Sequence, residues 1–93
     1  MKEKFRGNPD FIIREIAGEY ILVPVGEAAR IFYGIASLNE TGVFLWQLLG
    51  TQRTRNEIYD CFAKEYELTE EESKRDVDEF LEPAIREHII LQC

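Results

Sequence analysis

Residues 37–50 read SLNETGVFLWQLLG, and the architecture turns on where this stretch changes period. Before it, apolar residues come in short β-branched runs; after it, they recur at helical spacing. Ser37 and Glu40 have the S/T-x-x-E spacing of a capping box, in which the hydroxyl accepts a third-position N–H and the glutamate reaches back. Asn39 is a competing cap two residues later. Leu45, Leu48 and Leu49 form an apolar stripe with Trp46 beside it, and Gly50 is a C-terminal stop. Thr41 and Gly42, poor residues for a helix interior, fall in the first turn, where propensity matters little. The spacing predicts a helix over about 38–49 with a half-buried indole.

Downstream, Thr54…Glu57 and Thr69…Glu72 repeat the box before two more apolar-periodic runs, predicting helices over 54–66 and 69–88. Pro83 removes the N–H that would bond the Glu79 carbonyl, so a kink or split is expected near 80–83. Upstream, FIIREI (11–16) and EYILVPV (19–25) read as strands joined through Ala17-Gly18, with Gly18 able to take positive φ. Pro24 cannot donate to a ladder, which places that end at an edge or a break. IFYGIAS (31–37) reads as a third strand, with Ile31, Tyr33 and Ile35 on one face and Phe32, Gly34 and Ala36 on the other. Gly34 leaves a gap in the pleat where another backbone can approach. Residues 1–10 are polar, end in the turn signal Asn8-Pro9-Asp10, and read as a flexible arm. The expected fold is α+β: a three-stranded antiparallel sheet followed by three helices, winged helix-turn-helix-like, in one domain over 11–93.

The composition narrows function. A chain of 93 residues holds one core, and its net charge of −7 with pI near 4.7 repels phosphate backbones and anionic membranes. The last helix carries Glu70, Glu71, Glu72, Asp76, Asp78, Glu79 and Glu82 against Lys74, Arg75 and Arg86, the wrong balance for reading DNA. No apolar stretch approaches the roughly 20 residues that span a bilayer. No signal-type apolar region follows the basic N-terminus, so a cytoplasmic location is expected. Cys61 and Cys93 offer no disulfide framework. His88, the single histidine, excludes a two-histidine metal motif. It aligns with Val77, Leu81 and Ala84 and reads as partly buried, while Cys61 aligns with Ile58 and Phe62 as a small core residue. The acidic run at 70–72 complements a helix dipole rather than a reaction. With no phosphate loop and no nucleophile elbow, neither catalytic residues nor a metal or cofactor is expected. What the residues do offer is a groove: Phe80 flanks the last helix's stripe on the side of Asp76, Pro83 and Glu87, next to a sheet edge.

Three segments together resemble the PqqD-like family (coenzyme PQQ synthesis protein D-like), small peptide-binding proteins also called RiPP precursor peptide recognition elements. LNETGVFLWQLL is similar to the family's Leu-Asn-x-Thr-Gly-x-x-(Ile/Leu)-Trp-x-Leu-Leu. Thr54-Arg55-Asn56-Glu57-Ile58 matches a Thr-x-x-Glu-Ile helix start, and Asp76-Val77-Asp78-Glu79-Phe80-Leu81 matches Asp-Val-x-x-Phe-Leu. The resemblance implies a winged-helix variant that binds the leader of a ribosomally made precursor peptide and presents it to a modifying enzyme, often a radical SAM protein. The leader adds as a strand to the third β-strand, and its side chains enter a groove beside the third helix. Carried onto this chain, that implies a site of the backbone at Ile31, Phe32, Tyr33, Gly34, Ile35 and Ala36, with Asp76, Phe80, Pro83 and Ala84 on the helix. Phe80 is then the apolar anchor, and Asp76 a partner for a basic leader residue. Two departures stand out: His88 occupies a place where the family has glycine, and Pro83 is unusual. The competing readings are a winged-helix regulator working through protein contacts or DNA, and a structural subunit of an enzyme complex.

Overall fold

The two-residue loop Ala17-Gly18 has both φ angles positive, 52° and 81°, as a tight hairpin with the strand's own twist requires. In the computed structural model, which describes residues 3–31, 34 and 36–93, this loop joins the central hairpin. The elements run β1 (Lys4–Gly7), β2 (Phe11–Ile16), β3 (Glu19–Pro24), α1 (Ala28–Ile31), β4 (Ala36–Leu38), α2 (Glu40–Leu48), β5 (Arg53–Thr54), α3 (Arg55–Tyr66), α4 (Glu70–Arg86) and β6 (Ile90–Gln92). They form an α+β fold with two three-stranded antiparallel sheets, ordered β2-β3-β4 and β5-β1-β6. Among the described residues there are four helices, of which α1 is a single turn.

Of the arm expected over residues 1–10, Lys4–Gly7 is instead a strand built into the fold. Lys4–Gly7 pairs with Arg53–Thr54 on one side and Ile90–Gln92 on the other, and Phe5 is 1% exposed in the core. Gly7 donates to the Leu49 carbonyl at 2.8 Å and lies flat against Trp46, whose ring atoms would stand 2.9 Å from a Cβ there. The expected half-buried indole is thus seated on a bare backbone.

The third strand is shorter and later than 31–37. After Gly26, at φ 56°, the Glu27-Ala28-Ala29-Arg30 run turns helical, with Ala29 and Arg30 donating to the Gly26 and Glu27 carbonyls. Ile31 ends that turn, and the strand is Ala36–Leu38. Of the residues between, Phe32, Tyr33 and Ile35 lie outside the described residues. The strand extends to Leu38 because Asn39, not Ser37, caps α2: its side chain accepts from the Gly42 N–H at 2.9 Å. Ser37 pairs with Ile21 in the sheet and is unavailable as a cap.

Thr54 and Thr69 cap α3 and α4 with complete reciprocal boxes. Bonds from the Thr54 and Thr69 backbone N–H groups, then from their hydroxyls, hold the Glu57 and Glu72 carboxyls below the ordinary range. A carboxylate pKa lowered by folding contributes stability above its unfolded value, about 4.3, and loses it as pH falls through the folded value. Thr54→Ala and Thr69→Ala are expected to cost roughly 0.5–2 kcal/mol each at neutral pH, and less in acid. Asn39→Ala should cost a similar amount and Ser37→Ala almost nothing. Equal urea midpoints for Asn39→Ala and the parent would overturn the assigned cap.

Helix α4 is continuous through Pro83, so the expected split does not occur. Its buried face is Ser73, Val77, Leu81 and Ala84, and it packs on α3. Ser73 Oγ donates to the Tyr59 carbonyl at 2.7 Å, and Tyr59 Oη and Arg55 Nη1 converge on Asp78 Oδ1 at 2.6 and 2.8 Å. His88 is exposed rather than partly buried, because the helix has ended before it. It sits at φ 61°, the left-handed position after a helix that glycine usually fills, and its carbonyl accepts from Asn8 Nδ2 at 2.9 Å. Cys61 is half-buried and Cys93 exposed.

Candidate functional site: an open strand beside helix α4

The hairpin determines which backbone groups β4 leaves open. A two-residue loop closes on a pair that exchanges both hydrogen bonds, and bonded and non-bonded pairs then alternate along the ladder. Ile16 and Glu19 are that closing pair. The Val25 N–H donating to Asp10 at 2.7 Å keeps the same phase at the far end. In β3, therefore, Glu19, Ile21 and Val23 bond toward β2, while Tyr20 and Leu22 bond toward β4. Tyr20 faces Leu38 and Leu22 faces Ala36, so both of those β4 residues spend their polar groups on β3. Ser37 does not: its N–H and C=O point away from β3, along an edge that no described strand covers.

Beside that edge lies a groove of about 560 Å³ between β4 and α4. The sheet supplies Leu22, Ala36, Ser37 and Leu38, and the helix supplies Glu79, Phe80, Pro83, Ala84 and Glu87, with Ile89 at the end. The helical residues recur every three or four positions, which puts them on one flank. Leu22, Ala84 and Ile89 are buried, Phe80 is half-buried against the core, and Glu79 and Glu87 are exposed on the rim. The groove is apolar inside and anionic at its lip.

Of the residues expected at the site, Ala36, Phe80, Pro83 and Ala84 meet in this groove. Asp76 does not line it; it borders a neighbouring depression of about 410 Å³ with Asn39, Thr41 and Leu45, separated from the groove by Glu79 and Phe80, which line both. Ile31 is 73% exposed at the end of α1, and Gly34 lies in a bend at φ 109° with open space around it. Neither belongs to β4, which among the described residues holds only Ala36 of the strand backbone expected at the site. Sequence reasoning missed Leu22, Ser37, Leu38, Glu79 and Ile89 as groove residues. The one signal for Leu38 was the competing Asn39 cap, which leaves the preceding residue free to be strand.

The family model for coenzyme PQQ synthesis protein D (PqqD) matches residues 19–90. The chain belongs to the PqqD family. The match begins at the first residue of β3 and ends at the first residue of β6, so it contains both walls of the groove. β1, which adds the second sheet's central strand, lies outside it. No curated protein and no solved structure matches the chain significantly. PqqD membership implies a part in the biosynthesis of PQQ or of other ribosomally made, modified peptides, as an accessory binding protein. Among the described residues no helix is long and apolar enough to cross a membrane.

Proposed function

We propose that this protein binds the leader of a ribosomally synthesised precursor peptide by strand addition along β4, and presents the rest of the precursor to a modifying enzyme, of the radical SAM or another class. The observation that supports this most directly is the unspent N–H and C=O of Ser37 above an apolar groove. In strand addition, main-chain bonds supply affinity and alternate side chains supply specificity. An antiparallel leader whose residue pairs with Ser37 turns its two flanking side chains to the face of Ala36 and Leu38, into the groove against Phe80. The intervening side chain points to the other face. The protein contributes position rather than chemistry, and works in the cytoplasm with its enzyme.

Titrating the full chain with the leader of a precursor peptide found among the flanking reading frames tests this. Phe80→Ala removes a wall of the groove, and truncating such an anchor weakens binding by about 2 kcal/mol or more, roughly thirtyfold. Circular dichroism checks folding, since Phe80 also packs on the core. A folded variant with undiminished leader affinity would move the site elsewhere.

A further inference from the structure

The groove's lip carries information about the leader that its apolar floor does not. Glu79 and Glu87 stand on either side of Pro83 on one flank of α4. Among the described residues neither makes an ion pair, although Arg55 engages Asp78 and Glu82 and Lys74 engages Glu70 on the same helix. Pro83 adds an independent feature. It has no N–H to return to the Glu79 carbonyl, so that acceptor lacks its usual helical partner. Asp76, beyond Phe80, is already paired with Arg75 at 3.4 Å and is not part of this free charge. Two unneutralised carboxylates and a carbonyl short of a donor, above an apolar slot, suit a side chain with a long apolar stem and a cationic, hydrogen-donating head.

We infer that one of the two groove-facing leader residues is lysine or arginine, its stem lying along Phe80 and Pro83 and its head between Glu79 and Glu87. This rests on the strand-addition reading and specifies its ligand: a leader with an apolar residue and a basic residue two apart. The chain's own charge of −7 favours the same ligand class at longer range.

The test uses acetylated, amidated nonapeptides, threonine everywhere except the two groove-facing positions that flank the centre, one of which is valine. The other groove-facing position is varied over lysine, arginine, glutamine, isoleucine and glutamate. Fluorescence titration against the full chain should show the lysine and arginine peptides binding about fivefold tighter than glutamine, the range expected of one or two partly exposed charge contacts. The double variant Glu79→Gln/Glu87→Gln should erase that preference while still binding the isoleucine peptide, and high salt should shrink it. An equal or greater affinity for the glutamine, isoleucine or glutamate peptide overturns the inference, as does a cation preference that survives the double variant. Binding by no peptide, or binding indifferent to Ser37→Pro, overturns instead the strand-addition reading beneath it.

Discussion

Ser37→Pro is expected to weaken leader capture by at least about tenfold while leaving the protein folded. Proline removes the single N–H that β4 presents outward, and no bond within the sheet uses that N–H. Proline is accordingly tolerated at such an edge position, and the extended conformation it asks of Ala36 is already present in β4. The incoming strand loses one hydrogen bond, worth about 0.5–1.5 kcal/mol, and keeps an unsatisfied carbonyl costing about 1–3 kcal/mol. Together these weaken binding about tenfold to a thousandfold. Ser37→Ala, which changes only an exposed hydroxyl, should bind as the parent does. A Ser37→Pro variant with parental circular dichroism and parental leader affinity would mean that the leader does not add to β4.

Phe5→Ala is expected to be among the most damaging single substitutions for stability, by about 3–5 kcal/mol, the range for deleting a fully buried aromatic ring. Phe5 is 1% exposed, pairs with Arg53 and Gln92 on its two flanks, and lies under the Arg55 guanidinium, 5.1 Å from ring centre to Cζ. Its loss opens a cavity and removes the cation's aromatic face together. Ile16→Ala, at 59% exposed, should shift the urea midpoint far less. If the two variants unfold alike, β1 is no part of the cooperative core.

Why β1 escapes a reading of the sequence is physical. KFRG holds one apolar side chain, and no two-residue period can be read from one residue. The strand exists because residues 53–54 and 90–92, far along the chain, offer it ladders on both sides. The central hairpin and the starts of α3 and α4 were legible because their determinants are local: Gly18 in the turn, and threonine three residues before glutamate. The start of α2 was ambiguous locally, since Ser37 and Asn39 are both competent caps, and a tertiary fact decided between them, the pairing of Ser37 with Ile21. The site divides the same way. Phe80, Pro83 and Ala84 follow from helical spacing, whereas Leu22 and Ile89 reach the groove only through the register of β3 and the left-handed step at His88.

The β5-β1-β6 sheet also brings residues 4 and 93 together. The Cys93 N–H donates to the Lys4 carbonyl at 2.7 Å, so entry and exit lie side by side on one rim. Joined ends of this kind suit splicing into a surface loop of a host protein, since two short tethers of similar length suffice and neither has to cross the fold. The same closeness permits a linker across residues 4 and 93, with new termini opened at Ala17-Gly18. That rearrangement would leave β4 and α4 covalently untouched.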